Sequence, residues 1–225
     1  MPYSVLLFDY DGTLCDTRQA IYHSLRQVFR LHHAPVPSQA ALNEIVTLGL
    51  PMLDTLHALH PEGPAADVAA WVADYRAIYD AEGEPLATPF AGAPEVLAEL
   101  QAQGLGLAVV SNKSLHTLHK SLARLDLARY VSLVVGEGSL PGGSGALKPS
   151  PTFFIEVIQP HFAPTPAAEM LMIGDTPSDL LFARHAGLPA CWAAYGFGDA
   201  ATCQALGPRH QISELREVLG LVDRA

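Results

Sequence analysis

The chain of 225 residues reads as an α/β protein: a doubly wound parallel sheet, interrupted soon after its first strand by an inserted all-helical module. Three observations predict this. Short apolar runs, too brief for helices, recur along the chain and stop at glycines or polar clusters. From Pro89 onward these runs alternate with helical stretches, the pattern of a parallel sheet with crossover helices. Between Asp16 and Ala87 no such run occurs, and the apolar residues keep helical spacing.

The first element is Ser4–Phe8, an apolar run ending in a Gly turn and therefore a strand buried on both faces. Leu14 to His33 follows as a helix with Ile21, Leu25, Val28 and Phe29 on one face and Asp16 or Thr17 as its cap. Ser38–Thr47 comes after Pro35 and Pro37, then Met52–Leu59, then Ala65–Ala81 after Pro64. Helices without a strand cannot join a parallel sheet. Residues 16–87 are therefore expected to form a separate module, leaving 1–15 and 88–225 as the core.

Within the core, helix Ala93–Gln103 precedes strand Leu105–Val110, helix Ser114–Leu125 precedes strand Val131–Val135, and helix Pro151–Gln159 precedes strand Glu169–Ile173. Helix Pro177–Ala186 then leads to strand Ala190–Ala193, and Ser213–Leu219 closes the chain as a helix. Right-handed crossovers fold such an order into one Rossmann-like core. The Gly/Ser-rich stretch 136–147 reads as a mobile flap or as a surface insertion.

Charge and composition narrow the function classes. A formal net charge of −10 speaks against nucleic-acid binding, because a phosphate backbone demands a basic face. No apolar stretch approaches the ~20 residues of a membrane span, and no leader pattern precedes Ser4. Cys15, Cys191 and Cys203 are an odd number without metal-ligand spacing, which fits a reducing compartment. The expectation is a cytoplasmic protein, free of membrane and nucleic acid, existing as a monomer or a homodimer.

The chemistry lies at the strand ends. Asp9-Tyr10-Asp11-Gly12-Thr13 follows the first strand, and the period of two puts Asp9 and Asp11 on one side. Their repulsion calls for a cation or for hydrogen-bond donors. Ser111-Asn112 follows a second apolar run, Asp175-Thr176-Pro177-Ser178-Asp179 a third, and Lys148-Pro149 lies between them. Ligands of open parallel sheets bind beyond the carboxyl ends of the strands, so these clusters should converge: four carboxylates, one hydroxyl, one amide and one ammonium. His57-x-x-His60 and His116-x-x-His119 have helical spacing but no third ligand, which argues against zinc.

At these residues the chain resembles the haloacid dehalogenase superfamily, whose four motifs match Asp9-x-Asp11-Gly12-Thr13, Ser111-Asn112, Lys148-Pro149 and Gly174-Asp175-x-x-x-Asp179. More narrowly it is similar to the phosphoglycolate phosphatase group, through Thr88-Pro89-Phe90-Ala91-Gly92, Val109-Val110-Ser111-Asn112-Lys113, Val134-Val135-Gly136 and Ala183-x-x-Ala186-Gly187. The resemblance implies a phosphomonoesterase acting on a small phosphorylated metabolite through an aspartyl-phosphate, with the helical module as a cap. Asp9 would be the nucleophile and Asp11 the acid/base. Magnesium, the hard cation suited to an all-oxygen site, would be held by Asp9, Asp175 and the backbone carbonyl of Asp11.

Lys148 and Ser111 would neutralise and hold the phosphate, and Asp179 would orient Lys148 or a metal-bound water. Thr13 and Gly12 would lie at the phosphate, Asn112 would shape its turn, and Gly49 in the Leu48-Gly49-Leu50-Pro51 turn would face the substrate. Arg76 either touches substrate or pairs with Asp80 or Glu82. Phosphoglycolate leads the substrate candidates by resemblance; a nucleotide, a sugar phosphate or pyrophosphate stays open. The competing readings are a sugar phosphomutase, against which Asp179 counts, and a non-enzymatic binding module, which predicts the loss of a motif residue.

Overall fold

The computed structural model describes residues 3–140 and 146–222. Six parallel strands form one sheet in the order β5-β4-β1-β6-β7-β8: β5 (Leu133–Glu137), β4 (Gly106–Ser114), β1 (Val5–Phe8), β6 (Met170–Gly174), β7 (Ala190–Ala193) and β8 (His210–Ile212). β1 lies inside the sheet and is wholly buried. Its residues alternate between two cores, as a period of two demands. Leu6 and Phe8 pack with Leu107, Val109, Leu171 and Ile173 against helices α5 (Ala93–Ala102), α6 (Leu115–Arg124) and α10 (Val218–Val222). Val5 and Leu7 point the other way, toward Phe154, Ile158 and Phe182 of the helical stretch that ends in α7 (Gln159–His161) and of α8 (Pro177–Ala186).

Strand register decides where the strand-end residues meet. Phe8 pairs with Val109 on one side and with Ile173 on the other. Asp9 therefore stands level with Val110 and Gly174, and Ser111 and Asp175 come one residue further along their strands. All three side chains emerge at one edge of the sheet.

Residues 18–86 add no strand to that sheet. They form α1 (Arg18–Leu31), α2 (Gln39–Val46), α3 (Met52–Leu59), α4 (Ala65–Ile78) and a wide turn at Tyr79–Gly83, and bury a core of their own around Leu25, Phe29, Leu56, Trp71 and Tyr75. Where the chain leaves and re-enters the sheet domain, β2 (Cys15–Asp16) and β3 (Thr88–Pro89) pair antiparallel.

Several boundaries differ from the sequence reading. α1 starts at Arg18 because Leu14–Asp16 is taken up by the Tyr10 turn and by β2. Thr17 does not cap it: its hydroxyl is buried without a partner, and Asp16 accepts the Arg18 N–H at 3.1 Å. β4 runs on to Ser114 through a register shift after Val110, so Ser111-Asn112-Lys113 belong to a bulged strand extension rather than to a loop. β8 was not expected, since its polar His210-Gln211 hides a three-residue strand, and the last helical stretch begins at Leu215 and ends at Val222. α9 (Ala200–Ala205) was not foreseen either. Of the Gly/Ser-rich stretch, residues 141–145 lie outside the described residues. Among the described residues, no helix is long and apolar enough to cross a membrane.

Candidate active site

Lys148 organises the site. Its ammonium is buried and donates to Asp9 Oδ1 at 2.6 Å, to Asp179 Oδ1 at 2.6 Å and to the Val110 carbonyl at 2.8 Å. Three N–H donors meet three acceptors, so the amine is saturated. Burial pulls it down, but Asp179 and Asp9 outweigh that and hold it above its ordinary pKa.

Asp179 is engaged through both oxygens. Its Oδ1 serves Lys148, and its Oδ2 accepts the Thr176 N–H at 3.0 Å and the Thr176 hydroxyl at 2.8 Å, closing a capping box at the start of α8. Of the two roles read from sequence, this arrangement answers to orienting Lys148.

Asp175 is wholly buried and held on both oxygens: Thr13 donates to Oδ1 at 2.9 Å, and the Phe197 N–H to Oδ2 at 2.7 Å. The backbone closes around it. Gly12 has φ +85°, and a Cβ there would lie 2.2 Å from Asp175 Oδ2, so only glycine allows this approach. The Thr13 hydroxyl is thus a buried partner of Asp175, and Gly12 is the residue that lets the turn pass over it. Phe197 escaped the sequence reading. Its signal was the closely spaced Gly196 and Gly198 after β7, where a Cβ would strike Asp175 as well.

Asp9, Asp175 and Asp179 each offer an oxygen within 4.8 Å of the others, and all three are buried. Burial pushes Asp9 up to about 7, with Asp179 and Asp11 adding to the rise and Lys148 opposing it. Burial, then Asp9 and Asp179, raises Asp175 well above the carboxylate range against its two donors. Three carboxylates face one ammonium. The excess of two negative charges among all-oxygen donors fits a divalent hard cation, with Asp9, whose Oδ2 has no hydrogen-bond partner among the described residues, and Asp175, whose oxygens each accept a single hydrogen bond, as the side chains to hold it.

Asp11 is not one of these three, but it lines the same cavity as Asp9. It pairs with Lys113 at 2.9 Å, a second ammonium that the sequence reading did not count. Burial lowers the Lys113 pKa, and Asp11 and Tyr75 more than restore it. Asn112 does more than shape a local turn. Its Oδ1 accepts the Lys148 N–H at 2.8 Å, while its Nδ2 donates to the carbonyls of Lys148 at 3.0 Å and of Gly49 at 3.2 Å. One amide thus joins the third motif to the inserted helices.

A cavity of about 120 Å³ lies over Asp9, Asp11, Ser111 and Lys148, roofed by Ile45, Gly49, Leu50, Met52, Tyr75 and Arg76. Gly49 has φ +63°, and its Cα rests against Thr176, where a Cβ would sit 2.2 Å from Oγ1. Arg76 of α4 pairs with Glu137 of β5 rather than with Asp80 or Glu82, so its guanidinium joins the inserted helices to the sheet domain. Ser111 Oγ accepts the Lys113 N–H at 3.2 Å and faces the same cavity. Cys15, Cys191 and Cys203 are buried, and burial pushes each thiol up to about 12. His60 stacks on Trp71 at 5.0 Å, and His116 lies 3.7 Å from Asp80.

A family model described as haloacid dehalogenase-like hydrolase matches residues 6–193. The chain is 30% identical over 225 residues to the tyrosine-protein kinase PtkA of Mycobacterium tuberculosis, covering 96% of this chain and 72% of that protein. It is 28% identical over 222 residues to a phosphoglycolate phosphatase of Pseudomonas fluorescens, covering 96% and 78%. Among solved structures, a haloacid dehalogenase-like family hydrolase from Streptococcus pneumoniae superposes with a TM-score of 0.83 at 23% identity, over 99% of each chain.

Proposed function

The chain belongs to the haloacid dehalogenase-like hydrolase family, and from that premise we propose that it is a magnesium-dependent phosphomonoesterase of a small phosphorylated metabolite, working through a phosphorylated Asp9. The observation that carries this reading is the pairing at Asp9. Its Oδ1 is pinned to Lys148 at 2.6 Å, while Oδ2 has no hydrogen-bond partner among the described residues, and Asp9 lines the cavity.

Asp9, Asp175 and the Asp11 backbone carbonyl would hold magnesium. When bound, the ion supplies positive charge against the excess of buried carboxylate and the incoming phosphate. The remaining tasks fall to the chain. Asp9 attacks phosphorus, and Lys148 carries charge beside both the nucleophile and the phosphoryl oxygens. The Ser111 hydroxyl and its neighbouring backbone donors orient the phosphate, and Asp11 hands a proton to the leaving oxygen and later takes one from water. Residues 16–87 act as a cap: with Ile45, Leu50 and Met52 over the cavity, they keep bulk water from the phosphoenzyme. Phosphoglycolate, the substrate in the name of the Pseudomonas relative, is the first metabolite to try. The kinase relative shares phosphoryl transfer and differs in the acceptor its name implies.

The test is phosphate release from a metabolite panel with and without magnesium, run beside Asp9→Asn. Release that needs magnesium and falls by at least ~10³-fold in the variant is expected. Activity surviving in Asp9→Asn would defeat the assignment. Isomerisation of a sugar 1-phosphate faster than phosphate appears would place the chain with the mutases instead.

A further inference from the structure

Lys113 has no part in the reaction just described, yet its surroundings are built with care. The side chain is nine-tenths buried at the end of β4, and Nζ donates to Asp11 Oδ1 at 2.9 Å. The same ammonium lies 4.0 Å from the ring centroid of Tyr79 and 5.8 Å from that of Tyr10. Tyr10 belongs to the first motif. Tyr79 belongs to the inserted helical segment, whose wide turn brings its ring against the sheet domain.

Resting on the phosphomonoesterase reading, we propose that Lys113 is the positioning residue of the acid/base, and that it decides which oxygen of Asp11 handles the proton. An ammonium has three donors and no lone pair. The carboxyl oxygen facing it must therefore present a lone pair, whether Asp11 is protonated or ionised. That oxygen is Oδ1; an O–H oxygen is the poorer acceptor beside an ammonium, so Oδ1 stays unprotonated and the proton travels on Oδ2 in both half-reactions.

In the first half, an Asp9 oxygen forms its bond to phosphorus as the ester P–O bond breaks. The electron pair goes to the leaving oxygen, which takes the Oδ2 proton, leaving an alcohol, an aspartyl-phosphate and ionised Asp11. In the second, water oxygen bonds to phosphorus while the bond from phosphorus to Asp9 breaks, and the water proton returns to Oδ2. Lys113 holds Oδ1 throughout, so the carboxyl plane does not turn between the two steps. Its ammonium is in turn held against the Tyr79 ring by a cation–π contact. Because Tyr79 comes from the inserted segment, the acid is correctly oriented only while that segment is seated on the core.

The experiment compares benzyl phosphate, whose alkoxide must be protonated to leave, with 4-nitrophenyl phosphate, whose phenolate leaves without a proton. A residue that only holds the fold together would change both rates alike. In Lys113→Met, kcat/KM, which is set by the first half-reaction alone, should fall by ~10²-fold on benzyl phosphate and by much less on 4-nitrophenyl phosphate, so that their ratio drops at least ~10-fold. Lys113→Arg keeps a donor at Oδ1 and should recover most of the ratio. Tyr79→Leu should lower it in the same direction by a smaller factor.

Thermal melting by circular dichroism shows which variants are folded. Should Lys113→Met fail to fold, the ratio in Lys113→Arg and Tyr79→Leu decides, and an unchanged ratio in Tyr79→Leu overturns the proposal. Equal losses of kcat/KM on both esters in a folded Lys113→Met overturn it as well, while leaving the hydrolase reading intact. A wild-type protein that releases phosphate from neither ester nor from any metabolite overturns the hydrolase reading, and this inference with it.

Discussion

Replacing Lys148 by methionine removes the one ammonium among three buried carboxylates and keeps most of the side-chain volume. The wild-type amine makes two charge-assisted hydrogen bonds of 2.6 Å and one of 2.8 Å to a carbonyl, and it is buried. Deleting one partner of a buried ion pair costs about 3–5 kcal/mol, because the remaining charge keeps its desolvation penalty without its counterion. In a domain of this size each kcal/mol moves Tm by about 2–4 °C, so Lys148→Met should melt roughly 6–20 °C lower at pH 8 in chelator. The deficit should shrink by pH 5.5, where Asp9, already pushed up to about 7, takes a proton in place of the lost ammonium. A second arm adds Asp179→Asn. With one carboxylate neutralised, the double variant should be more stable than the two single losses predict when added together. The assay is thermal and urea denaturation of the four proteins at both pH values. A Lys148→Met protein within 2 °C of wild type at pH 8, or strictly additive losses, would refute the claim that this amine balances the charge of the site.

Two further outcomes follow from the same geometry. Asp9 has a folded-state pKa raised from 3.8 to about 7 by burial. Its neutral form therefore contributes stability in full below about pH 4 and loses it as pH rises through about 7, at most about 4 kcal/mol in metal-free protein. The stability difference between wild type and Asp9→Asn in chelator should fall across that window, and magnesium at pH 7.5 should raise the Tm of wild type well above any effect on the variant; a flat difference would contradict it. Gly12→Ala places a Cβ 2.2 Å from Asp175 Oδ2 in a backbone with φ +85°. Calorimetry should find magnesium affinity lowered by at least ~10-fold and stability lowered by about 1–3 kcal/mol, whereas undiminished affinity would show that the turn has room to spare.

Most of the architecture was legible because it depends on local periodicity. The four-residue apolar run of β1, the alternation of strands and helices after Pro89 and the strandless stretch before it each state their element without reference to the rest of the chain. Asp9, Ser111 and Asp175 could be expected at one edge because parallel strands end together and ligands collect there. Misreadings fell where local signals are weak. β8 has three residues, two of them polar, and β4 crosses a bulge into residues that look like a loop.

Partner choice within the site is another matter, since it joins residues far apart in the chain. Thr13 is held on Asp175, 162 positions on, and Lys113 reaches back 102 positions to Asp11. Asn112 ties Lys148 to Gly49, Arg76 prefers Glu137 to its helical neighbours, and Phe197 supplies Asp175 with a backbone N–H. Residue type and spacing specify which groups carry charge and at which strand end they emerge. Which oxygen meets which donor follows from strand register, from glycines that let backbone close on a carboxylate, and from the seating of the inserted helices, and those arise only when separate segments pack.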